Sequence, residues 1–182
     1  MSDRLTFVLA AIDAANSADP KGEALPYGQR MTEELARRVP GPSEVLQIAA
    51  RGQHVERWLL AREAYPDGRT GYLDWRREQA RRHAVRLAGM MAGAGYPDAD
   101  QDRIGVLLRK EGLKRDAEVQ ALEDVICFTF LTWYFMPFAT KHPAEDVLRI
   151  VQKTARKMSD AARAQVLAEF GLPEPLAAAF RD

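Results

Sequence analysis

The chain has 182 residues, 47% of them apolar, and its 26 basic and 26 acidic residues give zero formal net charge. Such a composition fits one globular domain with a buried core and excludes bulk attraction to nucleic acid or membranes, leaving room only for local basic patches. The single cysteine, Cys127, excludes an intramolecular disulfide framework and, set in an apolar run, reads as a buried inert thiol.

Helical periodicity dominates, with no strand alternation and no Asn-Gly or Asp-Gly hairpin signal. The first apolar stretch is short, is broken by Asp13 and Asn16, and lacks a basic leader, so it predicts a helix over about residues 4–17 rather than a signal peptide. A cytoplasmic protein is the expectation. A second helix is predicted over about 26–39, ended by Pro40-Gly41-Pro42, and a third from the N-cap Ser43 to about 61. On that third helix one arc carries Val45, Ile48, Ala49, Gly52, Val55 and Leu59 as plain core. A neighbouring arc carries Leu46, Ala50, Gln53, His54, Arg57 and Trp58, polar groups sharing a face with apolar ones.

Residues 62–70 read as a loop with a Pro-Asp-Gly turn. A long helix follows over about 71–94 with Arg76, Arg77, Arg81, Arg82 and His83, and another over about 98–111. Arginines in such a stretch form a solvated face or bind phosphate in bidentate geometry. Lys110, Lys114 and Arg115 add a second basic cluster, and Asp116 caps a sixth helix carrying Glu123, Asp124 and the apolar run Val125 to Phe138. That run is shorter than the roughly 20 residues a membrane span needs and contains Pro137, so it predicts a central buried helix. Glu123 and Asp124 at its mouth would be partly desolvated, and one of them should need a cationic or metal partner. Pro143 and Ser159 open two more helices, and Pro173 to Asp182 forms a short one. His142 reads as a surface or capping residue. The chain has no Gly-rich phosphate loop, no Cys pair for a zinc finger and no positioned serine for a Ser-His-Asp set.

Several blocks resemble a known family. They are Tyr27-Gly28-Gln29-Arg30-Met31-Thr32-Glu33, Gln53-His54, Arg57-Trp58, Gly71-Tyr72-Leu73-x-Trp75-Arg76, His83-Ala84 and Leu122-Glu123-Asp124. Together they are similar to domain of unknown function 4202, over most of the chain. That resemblance implies no established activity. A more distant resemblance is to the HD phosphohydrolase superfamily, helical domains in which His, His-Asp and Asp side chains hold a divalent metal that activates water against a phosphoester. It implies an all-α, single-domain, HD-like bundle with a core over about 25–140 and C-terminal helices 143–180 packed on it.

In that comparison Tyr27 stands where the first His would be, Gln53 and His54 stand for the His-Asp pair, His83 and Lys110 fall near auxiliary positions, and Asp124 matches the final Asp. The expected catalytic residues are His54, Asp124 and Glu123, and the expected metal ligands His54, His83 and Asp124. Arg30, Arg51, Arg57, Arg76, Lys110 and Lys114 would hold phosphate, with Tyr27, Gln29, Gln53 and Trp58 completing the pocket. Tyr27 and Gln53 are poor ligands for a hard cation, so two readings stay open. The set binds zinc, manganese or iron and hydrolyses a nucleotide or other phosphate ester, or it binds a nucleotide or anionic metabolite (RNA being less favoured) without catalysis. With no metal, a direct pair with Asp124 would raise the pKa of His54. A third reading makes these polar residues structural ion pairs.

Overall fold

Side-chain caps set where several helices begin. Ser2, Ser43, Asp116 and Ser159 each accept a hydrogen bond from a backbone N–H of the first turn that follows, satisfying donors that an α-helix leaves open. The computed structural model describes residues 2–181, and among these all regular structure is helical. Asp182, the last residue of the expected tail helix, lies outside the described residues. The chain divides into two compact units, 1–112 and 113–182.

Unit 1 contains α1 (Asp3–Asn16), α2 (Ala24–Arg38), α3 (Glu44–Arg51), α4 (Gly68–Gly93) and α5 (Asp98–Arg109). Its core is built from Leu5, Val8 and Ile12 of α1, Met31 and Leu35 of α2, Leu46 and Ile48 of α3, Leu87 and Met91 of α4, and Ile104 and Leu107 of α5, all buried. Each such side chain contributes about 2 kcal/mol by leaving water. The helix α4 packs along α5, and α3 lies against α1, α2 and α5.

The third helix is a correction. It ends at Arg51, ten residues before the expected end at 61. Gly52 sits so close to α4 that a Cβ there would lie 2.5 Å from Leu87 Cδ1. Glu56 then adopts a left-handed conformation with φ 52°, and short 3-10 turns follow at Arg57–Leu59 and Arg62–Ala64. His54 and Arg57 therefore ride on an irregular turn, and the helical arc expected to unite them with Ala50 does not exist.

Unit 2 contains α6 (Ala117–Thr129), a π-helical turn (Phe130–Tyr134), α7 (Phe135–Ala139), α8 (Ala144–Lys157), α9 (Asp160–Glu169) and α10 (Glu174–Ala177), then a 3-10 turn (Ala178–Phe180). Its core gathers Cys127, Phe128, Leu131, Phe135, Val147, Val151, Ala155, Met158, Ala162, Val166 and Phe180. The apolar run does not form one buried helix. It passes through the π turn, and Met136 beyond it is 65% exposed. Pro137 has no N–H for the carbonyl four residues earlier and its ring crowds that carbonyl, so the regular ladder cannot pass through. Among the described residues no helix is long and apolar enough to cross a membrane.

Candidate functional site

The turn that follows α3 is held by side chains from two helices. Asn16, at the end of α1, accepts a hydrogen bond from the Glu56 backbone N–H at 3.3 Å. From α4, Gln79 Nε2 donates to the carbonyls of Arg57 (2.9 Å) and Leu60 (3.0 Å), and Trp75 Nε1 donates to Leu60 at 3.0 Å. Asn16, Gln79 and Trp75 are all buried, so these bonds are shielded from water and replace the helical ladder that the turn lacks.

This scaffold brings His54 against Tyr27 of α2, the rings stacked at 4.0 Å with 14° between planes. The His83 ring of α4 lies 6.4 Å from that of His54. The Arg57 guanidinium sits over the Trp75 ring at 4.5 Å, and Arg76 lies 6.0 Å over Tyr72. Arg57, Arg76 and Arg82 form no ion pair with a carboxylate among the described residues.

Electrostatics follow from that arrangement. Burial pushes the His54 pKa well below its ordinary value, and the cations Arg57, Arg76 and Lys110, with His83 whenever it is protonated, push it further down. His83 is lowered to about 4, first by burial, then by Arg57 and Arg82, against a smaller opposing pull from a hydrogen bond to the Gln53 backbone carbonyl. Arg57 is itself lowered by burial and by Arg76. The influences on His54 are burial first and then cations, and both lower its pKa; the rise that a direct pair with Asp124 would bring is not among them. Both imidazoles are neutral at pH 7 and are surrounded by guanidinium groups.

Asp124 belongs to unit 2, where its carboxylate is fully engaged. Oδ1 accepts from the Ser159 backbone N–H (2.8 Å) and from Gln120 Nε2 (2.9 Å), and Oδ2 accepts from the Ser159 hydroxyl (2.7 Å). That same hydroxyl oxygen caps α9 by accepting from Ala162 N–H at 3.1 Å. Asp124 thus orients a helix cap. Asp124→Ala is expected to cost about 2 kcal/mol in urea unfolding and Ser159→Ala about 1 kcal/mol. The double variant should cost little more than Asp124→Ala alone, because the two act through one network. Fully additive losses would contradict this linkage. Glu123 is 1% exposed and has Lys157 Nζ at 3.6 Å, the cationic partner that burial demands.

The remaining expected residues divide. Arg51 makes a two-pronged ion pair with Asp13, both contacts at 2.6 Å, and bonds Thr32 Oγ1 at 3.2 Å, so its guanidinium is committed to the fold. Lys114 donates to the Met158 carbonyl in unit 2. Gln29 is exposed, while Arg30, Trp58 and Lys110 are half-buried, Lys110 in a left-handed conformation that ends α5. Gln53 is buried. Sequence reasoning missed Gln79 and the role of Trp75. Their signal was the four-residue spacing of Trp75, Gln79, His83 and Leu87, all buried in the middle of α4, in which a polar residue inside an apolar row marks a buried hydrogen-bonding duty.

Among the described residues no group of three or more His, Cys, Asp or Glu side chains is placed to hold a metal ion. The cations around His54 would also disfavour a divalent ion there.

What fold and site define together is an all-helical protein whose unit 1 presents neutral imidazoles inside a cationic cluster. The chain belongs to the family described as domain of unknown function (DUF4202), whose profile matches residues 6–179. No curated protein and no solved structure matches the chain.

Proposed function

We propose that unit 1 binds a small anionic metabolite, a phosphate ester in chemical class, at the cluster formed by His54, His83, Arg57 and Arg76. One observation carries this reading. Three guanidinium groups, Arg57, Arg76 and Arg82, act on two unprotonated imidazoles, and none of the three has a carboxylate partner. Concentrated like charge beside buried groups is costly, and a bound anion relieves it. Guanidinium matches phosphate geometry in particular. The similarity in order of Tyr27, Gln53-His54 and His83 to the HD phosphohydrolases supports phosphate over other anions.

Binding is favoured over turnover by the same electrostatics. A hydrolase of this kind would use His83 or His54 to take a proton from the attacking water, break the ester P–O bond and return the proton to the leaving alcohol. An imidazole lowered to about 4 is a weak base at pH 7. Release of phosphate from a bound ester, above that of Arg57→Gln, would move the reading to catalysis.

The test is thermal unfolding in inorganic phosphate against chloride of matched ionic strength. Saturation at about 100 times Kd is expected to stabilise the protein by about 2.7 kcal/mol. Arg57→Gln should remove most of that gain. Equal melting temperatures in the two salts would exclude an anion site.

A further inference from the structure

Two acceptors beside this cluster lack a donor. Gln53 Oε1 and His83 Nε2 are both enclosed and neither has a hydrogen-bond partner, in residues that are 8% and 5% exposed. The His83 ring also bonds the Gln53 backbone carbonyl. With Nε2 unpartnered, that bond is made by Nδ1–H, which leaves Nε2 a bare lone pair. Gln53 therefore fixes the tautomer of one acceptor with its main chain and carries the other on its side chain.

Such atoms have given up water without a replacement. A fully ionised phosphate offers only acceptors and cannot satisfy them. The nearby cations do not satisfy them either, since Arg57 and Arg82 weigh on His83 without bonding Nε2. His83 also forms part of the wall of a cleft of about 240 Å³, together with Arg82 and with Val55 and Glu56 of the site-bearing turn. In this cleft Arg81 and Arg86 are neutralised by Glu78 and Glu56, whereas Arg82 has no such partner. Arg82, a cation without a carboxylate partner, and the His83 side chain, whose Nε2 is enclosed, thus share one wall of this cleft.

We propose that the ligand is a phosphate ester bearing hydroxyl or amine donors close to its phosphate, and that Gln53 and His83 read those donors while the arginines hold the phosphate. This rests on the anion reading above. A site built around buried acceptors rejects an analogue that lacks the matching donors, because the acceptors are then left unpaired.

The experiment compares inorganic phosphate, methyl phosphate and glycerol phosphate by thermal shift and calorimetry. Wild-type protein is expected to bind glycerol phosphate roughly tenfold more tightly than methyl phosphate, a ratio worth about 1.4 kcal/mol. Gln53→Met keeps the volume and removes one unpaired acceptor. It should bring the two esters within about threefold and raise the melting temperature of the free protein. His83→Phe, as a second variant, should likewise erase the preference. Equal affinity of wild type for both esters overturns this proposal and leaves the anion site standing. Full preference retained in both variants overturns the assignment to Gln53 and His83. No binding of any of the three compounds removes this proposal and the anion reading together.

Discussion

Acidification from pH 7 to about 4.5 is expected to destabilise unit 1 through its histidines. The direction follows from the depressed His83 pKa. Above pH 6.5 neither the folded nor the unfolded chain protonates the ring, and the group contributes nothing. Between pH 6.5 and about 4 the unfolded chain binds a proton that the folded one refuses, so stability falls as pH falls. Below about 4 both forms are protonated and the loss stops growing. Over the full window His83 alone amounts to about 3 kcal/mol, and His54, lowered by the same causes, acts in the same direction. The measurement is urea unfolding of wild type and His83→Asn at pH 7 and pH 4.5. Carboxylate effects common to both proteins cancel in the comparison, and the variant should lose markedly less stability. Equal losses would mean that His83 is not held neutral by its surroundings.

Gly71→Ala is the second change with a large expected effect. Gly71 lies in the first turn of α4, and a Cβ there would stand 2.0 Å from the Pro66 carbonyl oxygen and 2.8 Å from its carbon. Both are backbone atoms. Arg62 holds this segment in place, with Nη1 donating to the Tyr65 carbonyl and Nη2 to that of Pro66, each at 2.9 Å. The added methyl must move the loop or the helix, at an expected cost of about 3 kcal/mol. For a chain of this size that lowers the melting temperature by roughly 10 °C, read by circular dichroism. Phosphate binding should weaken as well, because Trp75 and Gln79, which hold the site-bearing turn, lie on the same helix one and two turns further on. Gly89→Ala, on the same helix but with nothing within 4 Å of the new Cβ, is the control, expected to be neutral or stabilising by helix propensity. Equal melting temperatures for the two variants would contradict the close approach at Gly71.

The helices that could be read from sequence are those whose ends are local. Ser43, Asp116 and Ser159 each cap within three residues of themselves, and the all-helical class follows from periodicity. The end of α3 was not legible, because the groups that replace its ladder are Asn16, Trp75 and Gln79, distant in sequence and identifiable only once the helices are packed. Of the two carboxylates at the mouth of α6, Glu123 has the cation that burial demands, Lys157, while half-buried Asp124 is met by a backbone N–H, a hydroxyl and an amide; sequence cannot tell which of the two takes the cation. For His54 the sequence leaves a metal, a pair with Asp124 and a structural role open, whereas burial first and neighbouring cations second lower its pKa in the fold. Arg51 looked like an anion contact and is spent on Asp13.

The turn between α3 and α4 also bears on how the chain tolerates change. Irregular surface segments are ordinarily where a protein accepts an inserted or deleted residue. Here the carbonyls of Arg57 and Leu60 are each fixed by a side chain of α4, and the Glu56 amide is fixed by the last residue of α1. Adding one residue between Gly52 and Leu60 would shift every carbonyl past its donor and carry His54 away from Tyr27. In length this segment is therefore as constrained as a core helix, although it has none of a helix's regularity.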